Sequence, residues 1–195
     1  MTAGVRYLIV LAIFGTLPGC IDPPKSPYVD VRDLVTKIDE FQPVAEQGSA
    51  QDQYHLGLQY ENALPRDHRE AVRWYRMAAM QRHPDAFYRL CVLSDKGLGM
   101  PQDYQEAFRW CRLAADHGHG AAMFLIATHY EKARGVPKDV VQAYQWYNLA
   151  AANGYEDAAK WRDRLARDMT PTQVAQAQFL ARNWKPKAQD APEER

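Results

Sequence analysis

The chain has 195 residues, of which 47% are hydrophobic and 25% are charged, enough apolar material to bury the core of one domain. Lys plus Arg and Asp plus Glu both number 24, so the formal net charge is zero. This balance argues against nucleic acid as a partner, because nucleic-acid-binding proteins usually carry an excess of positive charge.

The first residues form a segment of their own. Arg6 precedes an apolar run over residues 7–17, and the motif Leu-Pro-Gly-Cys follows at residues 17–20. The run is too short to cross a hydrocarbon layer of about 30 Å as a stable helix, so residues 1–19 are interpreted as a secretory signal peptide. The motif resembles the lipobox of bacterial lipoproteins, which implies lipidation of Cys20 and cleavage before it. An ordinary secretory signal with an incidental Cys is the alternative.

The residue after the Cys bears on location. Ile21, rather than Asp, follows Cys20. In lipoproteins of bacteria with two membranes, an Asp at this position favours retention in the inner membrane. The resemblance therefore implies the outer membrane, facing the periplasm, with the inner membrane or a secreted periplasmic form as alternatives. Residues 20–29 are rich in Pro and are expected to form a stiff, lipidated linker.

A period of 36 residues organises the middle of the chain. Trp74, Trp110 and Trp146 recur at this period, and each is followed by a pair of Ala residues. Three copies at one fixed period indicate a repeat array, in which each copy is one small structural unit stacked on the next. Each copy is expected to contain two helices, A and B. The three copies are assigned to residues 50–85, 86–121 and 122–157.

Helix B has a clear predicted start in each copy, at Asp67, Asp103 and Asp139. Each Asp follows a Pro by two residues and precedes a Glu or Gln by three. This pattern is typical of a capping box, in which the Asp accepts from a free amide of the first turn and the Glu or Gln reaches back. Gly118 and Gly154 are expected to end helix B in a left-handed conformation, and Pro84 takes over as the helix breaker in copy one.

Helix A is expected over residues 50–62, 85–96 and 121–132. The motifs Ala-x-x-x-Leu-small-x-x-Tyr, Gly-Val-Pro-x-Asp and Ala-x-x-Trp-Tyr-x-x-Ala-Ala-x-x-Gly are most complete in residues 122–154. Together they resemble the Sel1-like repeat family, which is related to the tetratricopeptide repeat. The resemblance implies an all-α fold, a right-handed α-solenoid of helix-turn-helix repeats that forms a tetratricopeptide-like superhelix. It also implies protein binding, as an adaptor or scaffold.

Flanking segments complete the predicted array. Residues 30–49 are interpreted as a degenerate helix B that caps copy one, and residues 158–184 as a closing helical pair. Terminal units of repeat arrays are expected to be atypical, because one of their faces meets water. Residues 185–195 are polar and contain two Pro, so we expect a disordered tail.

The two cysteines after Cys20 both lie in copy two. Cys91 is on helix A and Cys111 on helix B, at positions where the other copies place small or aromatic residues. An even pair in an exported chain suggests a disulfide bond, which requires Cα atoms within about 7 Å of each other. The alternative is a pair of small buried thiols that lie one helical turn out of register.

Histidines cluster near the ends of the helices, at His83, His117, His119 and His129. No Cys or acidic residue stands beside them at a metal-ligand spacing, so we interpret them as surface residues. Two of them, His117 and His119, suit the negative end of a helix dipole. Motifs for a nucleophile, a phosphate loop or a zinc protease are absent. We therefore predict no metal, no cofactor and no enzymatic activity, with a periplasmic hydrolase-like enzyme or enzyme accessory as the alternative.

By analogy with tetratricopeptide arrays, helix A lines the inner face of the superhelix, where a protein partner of unknown identity is expected to bind. The candidates fall into an aromatic column, a middle column and an acidic rim: Tyr54, Tyr88 and Phe124; Leu58, Val92 and Thr128; Glu61, Asp95 and Glu131. The aromatic column has an alternative role in packing between copies. The acidic rim indicates either a basic partner segment or simple solvated charge.

Overall fold

A computed structural model of the chain describes residues 48–186, and this part contains eight α-helices and no strand. The helices are α1 (Ala50–Asn62), α2 (His68–Met80), α3 (Pro84–Lys96), α4 (Tyr104–Asp116), α5 (Gly120–Lys132), α6 (Val140–Ala152), α7 (Ala158–Ala166) and α8 (Pro171–Asn183). The predicted signal peptide, the linker, nearly all of the first capping helix and residues 187–195 lie outside the described residues.

Consecutive helices pack in pairs. Helix A and helix B of each copy form a hairpin, and each hairpin packs on the next along the chain. Both α7 and α8 contact α6 and close the array. Helices α3 and α5, which are both helices A, also contact each other directly. The helix-A side is called the inner face, by analogy with tetratricopeptide arrays. The prediction of an all-α solenoid is confirmed.

The three Asp residues cap helix B as expected. In α6, the Oδ1 of Asp139 accepts from the amides of Val141 and Gln142 at 2.9 and 3.0 Å. The other two caps, Asp67 and Asp103, make the same pair of hydrogen bonds. The reciprocal half of the predicted capping box does not form at these three starts.

The residues three positions after the caps have other partners in two of the copies. Glu70 forms an ion pair with Arg73 at 3.3 Å, and Glu106 accepts from the indole of Trp110 at 3.1 Å. A complete capping box forms instead at the start of α1, between Ser49 and Asp52. The start of α8 has another, between Thr170 and Gln173.

Helix B ends in a left-handed residue in all three copies. Gly118 and Gly154 both have φ of 82°, as expected for this kind of helix end. Arg82 adopts φ of 62° at the equivalent position in copy one. The expectation that Pro84 replaces the glycine as helix breaker was therefore wrong, because Pro84 is the first residue of α3, where its fixed φ suits the helix start.

Two histidines are the N-caps of the helices A in copies two and three. The Nδ1 of His83 accepts from the amide of Ala86 at 3.4 Å, and the Nδ1 of His119 accepts from the amide of Ala122 at 3.3 Å. These N-caps explain why α3 and α5 begin one residue earlier than predicted. The interpretation of His119 as a cation at a helix C-terminus was wrong, because an accepting Nδ1 must be unprotonated.

Both capping rings stack on a tyrosine, and His83 is buried whereas His119 is half-buried. The ring centroid of His83 lies 4.6 Å from that of Tyr54, and the ring centroid of His119 lies 4.3 Å from that of Tyr88. Burial lowers the pKa of both imidazoles below the ordinary value. The carboxylate of Asp85 acts in the opposite direction on both but does not outweigh burial. The neutral form is therefore the one that the fold stabilises.

Helices A and B of each copy meet at one pair of facing positions. These are Gly57 and Tyr75 in copy one, Cys91 and Cys111 in copy two, and Ala127 and Tyr147 in copy three, and all six residues are buried. A Cβ on Gly57 would lie 2.6 Å from the Tyr75 ring, so only glycine fits there.

The cysteine pair of copy two is bonded. Cys91 and Cys111 form a disulfide, with their Cα atoms 5.2 Å apart and a sequence separation of 20 residues. The bond closes a loop whose loss of entropy in the unfolded chain corresponds to about 3 kcal/mol of stability.

The repeat tryptophans are buried to different degrees. Trp74 and Trp146 are 0% and 1% exposed, whereas Trp110 is half-buried. Trp146 packs against the guanidinium of Arg112, 4.6 Å from the ring centroid, and against Trp184, with ring centroids 5.6 Å apart. Trp146 therefore links copy three both to copy two and to the end of α8.

This difference gives a test with a matched control. Trp146→Ala should lower the free energy of unfolding by about 3–5 kcal/mol, because it removes a fully buried aromatic side chain. Trp110→Ala removes the same atoms from a half-buried site and should cost about 1–2 kcal/mol. Urea denaturation followed by circular dichroism measures both values. Equal losses would contradict the assignment of Trp146 to the core.

The capping histidines predict a pH dependence of stability. Because the folded pKa of each lies below the unfolded value of about 6.5, the unfolded chain takes up protons first. Stability is therefore fully present above about pH 6.5 and falls as the pH drops through the folded pKa values. Replacing both residues, His83→Asn and His119→Asn, keeps an accepting N-cap but removes the titration. Urea unfolding between about pH 7.5 and about pH 5.5 should show a smaller loss in this variant than in the wild type; an identical loss would contradict the argument.

Candidate functional site

The aromatic column of the inner face packs between copies. Tyr54 and Tyr88 lie against the histidines that cap the next helix A, and Phe124 repeats the arrangement with Tyr155, with ring centroids 4.7 Å apart. Phe124 also meets the edge of Trp161 in α7, with centroids 5.9 Å apart. All three members of the column are half-buried. The column therefore holds successive helices A together and offers only its outer edges to a partner.

Two members of the acidic rim are bound within the chain. Glu61 accepts from the hydroxyl of Tyr75 at 2.5 Å and lies 3.6 Å from the guanidinium of Arg89. Glu131 accepts from the hydroxyl of Tyr147 at 2.7 Å and also pairs with Arg164. Burial, followed by the hydrogen bond to Glu, raises the pKa of both tyrosines well above the usual range. Both phenols therefore stay protonated and keep donating.

The third member of the rim has a different set of partners, because copy two has no tyrosine in helix B at this position. One carboxylate oxygen of Asp95 lies 3.3 Å from the Nε2 of His129, and the other lies 3.9 Å from Arg134. The nearby imidazole of His129 is the main reason that the pKa of Asp95 is lowered. His129 is fully buried and is fixed by its Nδ1, which lies 2.7 Å from the carbonyl oxygen of Arg134. It is thus a core residue, in contrast to the surface position predicted for it.

The acidic rim therefore differs from both interpretations of the sequence. Its carboxylates are partly buried, with side chains 17% exposed for Glu61 and Asp95 and 18% for Glu131, and each faces a cation or a donor from the same array. What remains is the middle column, Leu58, Val92 and Thr128, whose residues are all half-buried. The hydroxyl of Thr128 donates to the carbonyl of Leu125 at 2.7 Å, so this column presents a largely uncharged strip.

Residues 48–186 contain no group of three or more His, Cys, Asp or Glu side chains that could bind one metal ion. Within the same residues, no helix combines the length and apolar character needed to cross a membrane.

Sequence reasoning missed the outer face, formed by helices B. A cavity of about 550 Å³ lies beside α2, and one of about 370 Å³ lies on α4. Three arginines of one helix, Arg69, Arg73 and Arg76, line the first cavity. Their spacing of four and three residues was a visible signal of one helical face. A smaller cavity of about 260 Å³ on α7 is lined by Lys160, Trp161, Arg164 and Arg167.

Solved structures with this architecture include two proteins of similar sequence. One is a protective antigen present in uropathogenic Escherichia coli strains that displays an SLR fold, with 32% sequence identity and a TM-score of 0.70. The match covers 74% of this chain and 31% of that protein. The other is a Sel1 repeat protein from Oxalobacter formigenes, with 31% identity, a TM-score of 0.63 and coverage of 75% of this chain and 61% of that protein. This chain thus spans less than two thirds of either relative.

A comparison with curated proteins finds no match. The Sel1 repeat family model matches three adjacent segments, residues 50–83, 84–119 and 120–155, which together make up more than half of the chain. The segments correspond to the hairpins α1–α2, α3–α4 and α5–α6. The chain therefore belongs to the Sel1 repeat family.

Proposed function

We propose that this protein is a non-catalytic scaffold of the bacterial cell envelope, which binds a partner protein along its inner face and is held at a membrane through Cys20. Sel1 repeats generally mediate protein–protein interactions, and three copies form the described array. The observation that carries the proposal is the internal pairing of the rim carboxylates. It leaves a preformed surface without an evident catalytic group.

The inner face suits binding because its shape is fixed before a partner arrives. Glu61 and Glu131 each join a helix B of their own copy to an arginine of the following unit, so the rim ties successive units together. A surface that is already ordered loses less conformational entropy on association than a flexible one. The uncharged middle column can then contribute buried apolar area at the centre of an interface, with charged residues around it.

The proposed location rests on the amino-terminal sequence. The motif at residues 17–20 resembles a lipobox, and Ile21 after the Cys supports outer-membrane sorting. A diacylglyceryl group with a further acyl chain would hold the protein stably on the membrane, since a single chain gives only reversible binding.

Binding can be tested with one pair of matched substitutions. Val92→Glu places a charge in the middle column and is compensated within α3 by Lys96, four residues on. Val141→Glu makes the same change on the outer face of α6, in the first turn, where a carboxylate is favourable. In crosslinking pull-downs from envelope extract, a protein retained by the wild type should be lost with Val92→Glu and kept with Val141→Glu. If both variants retain the same proteins as the wild type, the inner face is not the binding surface.

Anchoring is tested separately. Cys20→Ser should move the protein from the membrane fraction to the soluble fraction, because no thiol remains to carry the lipid. Cys91→Ser, which removes a thiol from the folded repeats instead, should leave the protein membrane-bound. Fractionation followed by immunoblotting measures both. Membrane association that persists in Cys20→Ser would refute the lipid as the only tether.

A further inference from the structure

The outer face of copies one and two carries a strip with a mixed surface, formed by α2, α4 and the turn between α3 and α4. Its first cavity has arginines at its edge and Val72, Met77 and Met100 among its lining residues. Its second cavity is lined by Arg109, Trp110 and Leu113, together with the acids Asp103 and Glu106. Leu113 is 42% exposed, which is high for a leucine that lies beside a half-buried Trp. We call this surface the arginine strip.

The repeat shows that the fold does not require these arginines. Arg73 and Arg109 are replaced by Gln145 in copy three. Arg76 and Arg112 are likewise replaced there by Asn148. At the third position, copy one has Arg69, copy two has Gln105 and copy three has Val141. Copy three forms the same hairpin without any of these charges, so the fold of a single hairpin does not require them. Arg112 does have a packing role between copies, because its guanidinium lies over the ring of Trp146.

Two of the arginines are available to a ligand. Arg73 and Arg76 pair with Glu70 and Glu106, at 3.3 and 3.6 Å. Arg69 and Arg109 form no salt bridge with any carboxylate of residues 48–186. Each can therefore donate two hydrogen bonds to a carboxylate, in the bidentate geometry that suits a guanidinium.

Copy three also shows which kind of structural element can pack on this surface. The residues equivalent to Trp110 and Leu113 are Trp146 and Leu149, which are only 1% and 7% exposed. Helix α8 packs against α6, and Trp184 at its end meets Trp146. The copy-three residues equivalent to the arginines are uncharged, and α8 contains no acidic residue. A helix thus covers this position in copy three, whereas Leu113 of copy two stays exposed.

We propose that the arginine strip binds an amphipathic helix of a partner protein, with apolar residues toward Trp110 and Leu113 and acidic residues toward Arg69 and Arg109. This surface is separate from the inner face. Methionines in its lining, Met77 and Met100, suit a helical partner because their side chains adapt to irregular shapes. A flat anionic membrane is disfavoured, since the strip is concave and carries Asp103 and Glu106 among its arginines.

The test uses the full-length protein in its own envelope, with a photoreactive amino acid in place of Gln105. This residue is exposed and lies one turn before Arg109 in α4. Irradiation followed by mass spectrometry identifies the crosslinked segment. We expect a segment of another protein in which Asp and Glu outnumber Lys and Arg, with apolar residues spaced three and four apart.

Matched variants test whether the arginines recognise the crosslinked partner segment. The double substitution Arg69→Gln and Arg109→Gln keeps good helix formers and should lower the crosslinking yield about tenfold or more. Val141→Glu, which adds a charge on α6 outside the strip, should leave the yield unchanged. A thermal melt confirms that each variant is folded. The proposal is overturned by crosslinks to this chain or to lipid, by a partner segment that is not acidic, by an unchanged yield in the double variant, or by no crosslink in the wild type.

Discussion

The close approach of helix A to helix B is the constraint on which the rest of the array depends. In copy one it is achieved by Gly57, whose missing side chain leaves room for the ring of Tyr75. In copy two the facing residues are two cysteines, and a covalent bond takes the place of the ring. The equivalent positions therefore hold different side chains in the three copies, and copy three places Ala127 and Tyr147 there.

The close approach of helices A and B also determines which groups the acidic rim contacts. With the tyrosine ring placed on a small residue, its hydroxyl reaches the last turn of helix A, where Glu61 or Glu131 accepts it. Copy two has no such hydroxyl, and Asp95 there faces the buried His129 of the next copy. A partly buried carboxylate needs partners to offset its desolvation, and copy two supplies them with different residues from copies one and three.

The sequence predicts the features that depend on neighbouring residues. The Asp caps, the glycine ends of helix B and the 36-residue period follow from local backbone chemistry, and all are present in the structure. The histidine caps were missed because His83 and His119 accept hydrogen bonds through Nδ1, a role that composition does not distinguish from a charged surface histidine. The one-residue shift in the starts of α3 and α5 follows from the same error.

The rim of the inner face was harder to predict, for a different reason. Its partners come from other units of the array, and they are not periodic: the position of Arg89 in copy two is occupied by Leu125 in copy three, where Arg164 of α7 pairs with Glu131 instead. A motif that repeats in sequence therefore predicts the acids but not what neutralises them. On the outer face, Arg73 and Arg109 recur in copies one and two and are replaced by Gln145 in copy three, so the fold of a single hairpin does not require a charge at this position.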